Sequence, residues 1–465
     1  MNLSYHHYSN KIVTYFMWAA ICWAIFGMSA GLYAASEMVW PWLNLDTPWL
    51  TFGRIRVIHT NAIVFGFGGS MLIGTSFYIV QRVCSAKLFA PKLAWFVFAG
   101  WQVGLLLGMV TIAMGINTGL EYAEFEWPLD IAITIVWVAF AVVFFGTIVL
   151  RTEKQLYVGL WYYSAFIIVV AILHIINSLA IPVSLTKSYP IYNGAVGAVV
   201  QWWYGHNAVG FFLTGGFIGM LLYFLPKITG LPLWSYRLSI LSFWAFVYTY
   251  IWAGPHHLHY SSVPDWIQSL GMAMSLILLL PSWGTMLNGL MSINGAWQRL
   301  HKDMPLTFIA YSLIFYGLAT FEGPLLAIKT VNAIGHNTEW IISHVHSGAL
   351  GWNAFISFGV LYYLIPKMAG RELYSLKMAK AHFSLAILGI ILYIVPLWIA
   401  GITQGVRSLE FDQAGFSTYS FIDILNSVKV YYLIRFFGGV FFFSGVLLMA
   451  INFYLTYKCG KNNNV

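Results

Sequence analysis

The sequence predicts an all-α membrane protein built from twelve transmembrane helices. Of its 465 residues, 60% are hydrophobic and only 8% are charged, a balance that excludes a soluble globular domain of ordinary composition. The 42 glycines and 21 tryptophans suit membrane helices, which pack through small residues and anchor at the bilayer surfaces through aromatic rings. The apolar residues also come in runs long enough to cross a bilayer, which takes about 20 residues of helix.

Twelve such runs follow one another without a soluble domain, a nucleotide-binding glycine motif or a low-complexity segment between them. They lie near residues 12–35, 57–81, 93–115, 129–150, 157–182, 197–225, 237–258, 266–290, 305–328, 341–365, 380–403 and 431–457. We expect the whole chain, 1–465, to form one integral membrane domain, with a surface segment within 404–430. The first run is not followed by a small-residue cleavage site, which predicts a retained helix rather than a signal peptide.

Charged residues predict the orientation, because loops on the cytoplasmic side of a membrane carry an excess of lysine and arginine. One side, made of both chain ends and every second loop, collects 16 of the 23 basic residues: Lys11, Arg82, Lys87, Lys92, Arg151, Lys154, Lys227, Arg237, Arg299, Lys302, Lys367, Arg371, Lys377, Lys380, Lys458 and Lys461. It holds only three acidic residues, Glu153, Asp303 and Glu372. Both chain ends are therefore predicted to be cytoplasmic, and membrane topology accounts for the net charge of +8 without a nucleic-acid partner.

The opposite, outer side carries an acidic cluster in the segment GLEYAEFEWPLD, formed by Glu121, Glu124, Glu126 and Asp130. A solvated acidic loop is the simplest interpretation. A cation site or a docking surface for a basic partner is consistent with the same cluster.

Histidines supply the main candidate site. Six of the 13 lie within predicted helices near the outer face: His59, His206, His256, His257, His344 and His346. An ionisable residue inside a membrane is costly and usually functional, and histidine is the commonest metal ligand. Four helices bring these six imidazoles to one depth in the membrane, which predicts that they bind metal. His174 and His382 are expected to be packing residues.

Spacing predicts how the six histidines divide. The two histidines of the HVH motif stand about 200° apart around a helix with 3.6 residues per turn, so one helix can serve two centres. His256 and His257 follow each other directly and diverge by only about 100°, so they can face one metal together with His206. Three imidazoles with an open position suit copper, zinc or non-haem iron. His59 remains to pair with one histidine of the HVH motif across a haem plane.

The sequence resembles the haem–copper oxidases. Proteins of that family hold one haem with two histidines, one haem with a single histidine and one metal ion with three histidines. The sequence is most similar to the catalytic subunit I of the C-type, or cbb3-type, cytochrome c oxidases. The matching stretches cover nearly the whole membrane core and are RVIHTNAIVFGFGG, GLEYAEFEWPLDI, QWWYGHNAVGFFLTGGF, YRLSILSFWAFVYTYIWAGPHHLHY, PSWGTMLNGLM, FEGPLLAIKTVN and HVHSGALGW.

The resemblance implies a ligand role for each of the six histidines. These are His59 and His346 for a low-spin haem b, His344 for a high-spin haem b3, and His206, His256 and His257 for a copper ion, CuB. A six-coordinate haem only passes electrons, whereas a five-coordinate one leaves a position open for dioxygen. The expected fold is that of haem–copper oxidase subunit I, and the expected activity is reduction of dioxygen to water coupled to a proton gradient.

The nearest alternative is a nitric oxide reductase. Those relatives resemble this sequence in the six histidines, but they hold non-haem iron and carry a glutamate one turn after the histidine of helix six. Gly210 occupies that position here, which favours copper with imidazole ligands alone. Outside enzymes, a proton-coupled transporter is the alternative, because pumps also use buried histidines.

Tyr250 supports the oxidase. In the C-type family a tyrosine of helix seven is cross-linked to the helix-six histidine, which implies the same link between Tyr250 and His206. A phenol at this place can supply one electron and one proton when the O–O bond breaks.

Water formation also consumes protons, which must reach Tyr250 from the cytoplasm. Ser239 lies eleven residues earlier, within about 20° of the same helix face, and Tyr236 lies about 40° away. With Thr214 of helix six they form the predicted hydroxyl path. For each hydroxyl alone, a bond to its own helix is an equally good interpretation.

Further residues are candidates for supporting the cofactors. Glu322, in the FEGP segment, is the one carboxylate predicted well inside the membrane, where it would tune the basicity of a haem ligand. In the C-type family a carboxylate at the outer surface helps to hold calcium near the haem propionates, which implies Glu121. The candidate propionate partners are Arg54, Arg56, His259 and His336, with ordinary loop contacts as the alternative.

Electrons must come from another subunit. The chain has no CxxCH motif for a c-type haem, and its three cysteines, Cys22, Cys84 and Cys459, are scattered. The resemblance implies membrane-anchored c-type cytochrome subunits on the outer face, supplied by soluble cytochrome c. It also implies a multi-pass location in the inner membrane of a bacterium.

Overall fold

The computed structural model describes residues 8–461. Within them, twelve long helices form the membrane core: α1 (Asn10–Val39), α2 (Phe52–Val83), α3 (Pro91–Met114), α4 (Trp127–Val149), α5 (Val158–Asn177), α6 (Gly194–Thr229), α7 (Tyr236–Ala253), α8 (Asp265–Ser292), α9 (Met304–Ala327), α10 (Glu339–Ala369), α11 (Leu376–Ser408) and α12 (Phe421–Cys459). Eleven of them are long and apolar enough to cross a membrane. The exception is α7, which has 18 residues and carries several hydroxyl groups along its length. The predicted all-α, twelve-helix membrane fold is confirmed.

The boundaries differ from the prediction where an apolar run does not continue as helix. The fifth run was expected to reach residue 182, but α5 ends at Asn177, and Ala180–Ser184 pairs with Lys187–Pro190 in an antiparallel hairpin. Apolar content alone does not separate the end of a helix from a short strand. A short helix, Lys329–Gly335, also precedes α10.

The last helix begins earlier than expected, at Phe421 instead of near 431. Ser420 caps it, because its side chain accepts a hydrogen bond from the Asp423 N–H while the Asp423 carboxylate accepts one from the Ser420 N–H. This capping box is a sequence signal for a helix start, and it extends the helix over polar residues that a hydropathy pattern leaves out. The surface segment between α11 and α12 is correspondingly shorter.

Contacts at the helix ends show that α1 and α2 run in opposite directions and that α10 and α12 end on the same side. Arg82 at the end of α2 donates to Asn10 at the start of α1, and Arg371 after α10 donates to the Tyr457 carbonyl near the end of α12. At the opposite ends of the helices, Arg56 pairs with Glu121. The predicted orientation depends on this arrangement.

The three helices that carry most of the histidines share a local irregularity. Each of α2, α6 and α10 widens into π-helical turns directly after its last candidate histidine, over Ala62–Gly68, Ala208–Gly216 and Ser347–Ala354. Such turns are rare and frequently mark functional sites. They are also rich in glycine, which lets aromatic rings approach the backbone: a Cβ at Gly66 would lie 2.6 Å from the Trp23 ring.

Candidate metal centres

Three histidines converge on one point at the outer end of α6 and α7. The ligand atoms of His206, His256 and His257 all lie within 4.8 Å of one another, and no other group of three or more potential metal ligands occurs among residues 8–461. The Nε2 atom of His206 is buried without a hydrogen-bond partner. The Nδ1 atom of His256 lies 2.8 Å from the Ser275 hydroxyl, which orients this ring and leaves its Nε2 atom as the metal-facing nitrogen.

Close backbone packing holds the two adjacent histidines in place. They lie in a tight 3₁₀ turn, Gly254–Leu258, that follows α7. A Cβ at Gly254 would lie 2.5 Å from the Trp202 carbonyl oxygen, and a Cβ at Gly271 would lie 2.4 Å from the His256 nitrogen. The His257 ring also stacks on Trp202, with 4.0 Å between ring centres. The turn is thus wedged between α6 and α8, which need glycine at these contacts.

A second pair of histidines faces each other across a gap between α2 and α10. The rings of His59 and His346 are 6.3 Å apart at their centres and only 5° from parallel. Two metal–nitrogen bonds of about 2 Å each would fill such a gap between two ring nitrogens. The Nδ1 atoms lie 2.7 Å from the Gly27 carbonyl oxygen and 2.8 Å from the Ile342 carbonyl oxygen, so each ring keeps its Nε2 atom for a ligand.

The other histidine of the HVH motif lies on the opposite face of α10, toward α9. The Nδ1 atom of His344 is 3.6 Å from Glu322 Oε2. Glu322 is buried and accepts hydrogen bonds from Trp340 Nε1 at 3.0 Å, Trp398 Nε1 and the Ser347 hydroxyl at 3.1 Å. The His344 Nδ1 atom has no hydrogen-bond partner among the described residues, so Glu322 is a neighbour of this ring without a hydrogen bond to it.

Tyr250 packs directly against the three-histidine group. Its ring lies 5.0 Å from that of His206, centre to centre, and is tilted by 31°. A Cβ at Gly210 would lie 2.3 Å from the Tyr250 ring. Position 210 must therefore be glycine for Tyr250 to keep its place, because any side chain at this position would displace the tyrosine ring.

Only part of the predicted hydroxyl path is joined by contacts. Thr214 lies near the Tyr250 side chain. Ser239 is buried, donates to its own helix at the Ser235 carbonyl and accepts from Asn288 Nδ2 at 2.9 Å. Tyr236 is 41% exposed, and its hydroxyl accepts a hydrogen bond from the Val158 N–H instead of contacting Ser239. Its position on the helix was predicted, but its contact partner was not.

Buried hydroxyls from other helices lie between Ser239 and Tyr250, and sequence reasoning did not find them. Thr285 is one turn before Asn288 on α8 and lies near the Tyr162 side chain, while Ser282 lies near the Tyr316 side chain. The hydroxyls of Tyr162 and Tyr316 are buried without a hydrogen-bond partner among the described residues. The signal available in the sequence was the spacing of Ser282, Thr285 and Asn288, which places all three on one face of α8.

The four candidate propionate partners are held by local contacts. Arg54 donates to the Ala113 carbonyl at 2.8 Å, and Arg56 lies 3.5 Å from Glu121. His259 Nε2 lies 2.8 Å from the Ala327 carbonyl oxygen, whereas His259 Nδ1 is buried without a partner. His336 reaches the edge of the three-histidine group, with its ring 6.4 Å from that of His257. Burial lowers the pKa of both His259 and His336, which favours their neutral forms.

The acidic residues of the outer loop are separated into individual contacts. Glu121 is partly exposed and pairs with Arg56, whereas Glu126 is buried and accepts from the Ser188 hydroxyl of the hairpin. Glu124 accepts from Asn61 Nδ2 at 3.0 Å, and burial raises the pKa of its carboxyl group although that hydrogen bond opposes the rise. Glu121 therefore has an arginine as its neighbour, and no second acidic group of this loop joins it in a metal-binding cluster of described residues.

A cavity of about 60 Å³ lies between α2, α3, α4, α5 and α6. Its walls are largely apolar and aromatic and include Trp101, Trp137 and Phe212. Val138 and Ile175 line it and are also about half exposed.

Known proteins resemble this chain in sequence and in fold. The family model described as Cytochrome C and Quinol oxidase polypeptide I matches residues 11–441. The chain belongs to this family. The predicted resemblance to the cbb3 type is confirmed as well, and the chain has the terminal oxidase function of a haem–copper oxidase subunit.

Individual relatives cover almost the whole chain. A protein of Stutzerimonas stutzeri named Cbb3-type cytochrome c oxidase subunit CcoN1 is 54% identical over 98% of this chain and 96% of its own length. Cytochrome c oxidase subunit 1 of Rhodobacter capsulatus is 49% identical over 94% of this chain and 84% of its own. A cryo-EM structure of a heme-copper terminal oxidase dimer shares the fold, with a TM-score of 0.79 over 97% of this chain and 84% of that chain at 16% identity.

Proposed function

We propose that this oxidase subunit reduces dioxygen to water at a high-spin haem b3 and a copper ion, with electrons passed on by a low-spin haem b. The observation that carries the proposal is the group of His206, His256 and His257, within 4.8 Å of one another and packed against Tyr250. The oxidase function follows from the family, whereas the roles of individual residues, the cofactor types and the partner subunits are proposed.

The residues fit the cofactors that the family implies. His206 has a buried nitrogen without a partner, and three imidazoles are a suitable donor set for copper. His59 and His346 are parallel at a spacing that accepts one metal ion between them, which suits the two axial ligands of a six-coordinate haem. His344 lies on the other face of α10 and would hold the second haem. When bound, the haems and copper supply electron transfer and the binding and reduction of dioxygen.

The protein's own residues position the protons for this reaction. Tyr250 holds a proton on its phenolic oxygen next to His206, and the nearby Thr214 would replace it. The contact between the two rings is also what the predicted Tyr250–His206 link requires. Glu322 is fixed by three hydrogen bonds to Trp340, Trp398 and Ser347, and from there it would orient the His344 ring when the haem is bound.

Proton uptake follows the buried hydroxyls between α5, α6, α7, α8 and α9. The proposed order from the cytoplasm is Ser239 and Asn288, then Thr285 with Tyr162, then Tyr316 with Ser282, then Tyr250 with Thr214. Tyr236 stands at the exposed cytoplasmic end, where it would serve the entrance.

Ser239→Ala should slow turnover about fivefold, because it removes one hydrogen-bonding step worth about 1 kcal/mol. Steady-state oxygen consumption and the reduced-minus-oxidised haem spectrum would be measured together, and the spectrum should stay unchanged. Ser164→Ala is the matched control, since that hydroxyl bonds only to its own helix at the Leu160 carbonyl. Unchanged turnover in the Ser239 variant would remove this residue from the path.

The metal bound by the three histidines distinguishes an oxidase, which holds copper, from a nitric oxide reductase, which holds non-haem iron. Gly210 and Tyr250 occupy one space, so a glutamate at position 210 is incompatible with this tyrosine. We expect two haems and one copper ion per chain of the purified oxidase complex, after correction for c-type haem. A third iron atom per chain, not bound in haem and in place of copper, would favour the reductase. A complex without b-type haem would refute both the oxidase and the reductase assignment.

The remaining assignments concern the surroundings of the site. Membrane-anchored c-type cytochrome subunits would dock on the outer face and receive electrons from soluble cytochrome c. The chain would lie in the inner membrane of a bacterium with both ends cytoplasmic. Dioxygen, which dissolves well in lipid, would enter through the cavity lined by Trp137 and Phe212. Calcium near Glu121 would have to compete with Arg56 for that carboxylate.

A further inference from the structure

A buried ion pair joins the outer end of α10 to α12 at a point about 21 Å from the start of α12, outside the histidine groups. Arg435 is only 3% exposed, and its Nη1 atom lies 3.2 Å from Glu339 Oε2. Its Nη2 atom lies 2.7 Å from Met38 Sδ on α1, and its Nε atom is buried without a partner. An arginine side chain stays protonated in proteins, so this position carries a fixed positive charge.

The pair is connected to His346 through the helix and through an aromatic ring. Glu339 precedes His346 by seven residues, which places the two on the same face of α10 and about 10.5 Å apart along its axis. On α11, the Tyr393 ring stacks on His346 with 4.4 Å between centres. The Arg435 guanidinium carbon lies 6.0 Å from the centre of the same Tyr393 ring. Only one aromatic layer therefore separates the ion pair from His346.

Neighbouring side chains hold the carboxylate partner in place. The Glu339 N–H donates to Gln404 Oε1 at 2.9 Å, and Gln404 Nε2 donates to the Tyr432 hydroxyl at 3.1 Å. The Tyr432 ring lies 5.0 Å from the Arg435 guanidinium carbon. Four helices, α1, α10, α11 and α12, thus meet at this pair. Its charges have fixed positions in a region where charge interactions are weakly screened.

We propose that the Arg435–Glu339 pair sets the reduction potential of the group held between His59 and His346. The inference rests on the proposed low-spin haem at that place. Reduction adds one negative charge, so a fixed cation nearby favours the reduced form and raises the potential, whereas a fixed carboxylate lowers it. The two residues should therefore act in opposite directions on one haem, without contacting it as ligands.

Equilibrium redox titration of the low-spin haem absorbance in the purified oxidase complex tests this inference. Arg435→Met should lower the potential and Glu339→Gln should raise it. Each change should alter the reduction equilibrium constant at least tenfold, which is about 59 mV for a one-electron couple. The double variant should return close to the wild-type potential, because it removes both charges. Lys187→Met is the control, since that exposed lysine pairs with Glu126 away from this cluster.

A purely structural role gives a different pattern. Damage to packing would shift both single variants the same way or lower the haem content, and it would be larger in the double variant. Unchanged potentials, or shifts of the same sign, would overturn the inference. If Arg435→Met does not assemble, Arg435→Lys should keep the wild-type potential, and Glu339→Gln alone must still raise it. Wild-type protein without a low-spin haem would instead refute the proposed function.

Discussion

His206→Ala should abolish dioxygen reduction, with turnover falling at least a thousandfold. Only two of three converging imidazoles would remain, and a copper ion left with two nitrogen ligands would be held weakly. A thousandfold loss corresponds to about 4 kcal/mol in the activation barrier. Elemental analysis of the purified complex should find copper reduced from one ion per chain to almost none.

The low-spin haem should survive this change, because His59 and His346 lie on the other side of α10. Its absorbance band therefore reports on folding independently of activity. His301→Ala is the control, since His301 is an exposed histidine in the loop before α9. Copper retained at one ion per chain in the His206 variant would show that the three-histidine assignment is wrong.

Tyr250→Phe should lower turnover at least a hundredfold while copper and both haems remain in place. The variant keeps the ring that packs on His206 and Gly210 but loses the hydroxyl that carries the proton. Proton transfer by a positioned side chain typically contributes a factor of about 10² to 10⁴. Steady-state oxygen consumption, copper content and haem spectra of one preparation would be compared.

Tyr248→Phe is a matched control for this experiment. Tyr248 lies on the same helix, two residues before Tyr250, but its side chain is 65% exposed on the outside of the bundle. It should keep wild-type turnover. A Tyr250 variant that turns over at the wild-type rate would exclude the phenol as a proton donor, although it would leave the histidine assignments untouched.

Helix number and the angle between neighbouring histidines were accessible from the sequence because both depend on short-range patterns. An apolar run of spanning length predicts a helix wherever it occurs, and a pair such as His344 and His346 has a known angle around any helix. The hairpin Ala180–Ser184 with Lys187–Pro190 escaped prediction because it extends an apolar run. The start of α12 at Phe421 was missed although Ser420 and Asp423 encode it.

The proton path was predicted along helix seven, with Thr214 of helix six as its one member from another helix. Ser239 and Tyr250 lie on one face of α7, and that follows from their spacing. The hydroxyls of Tyr162 and Tyr316 come from α5 and α9, and nothing in the local sequence brings them beside Ser282 and Thr285. The partner of Tyr236 could not be predicted for the same reason.

By itself, the sequence determined the membrane class, the twelve helices and the six histidines as candidate ligands, because composition and helical periodicity are properties of neighbouring residues. Tertiary structure alone decided that His59 lies parallel to His346, that Gly210 makes room for Tyr250, and that Arg435 meets Glu339. These contacts join residues from 40 to almost 300 positions apart. They exist only because helices distant in sequence pack side by side, at distances that the spacing within any one helix does not specify.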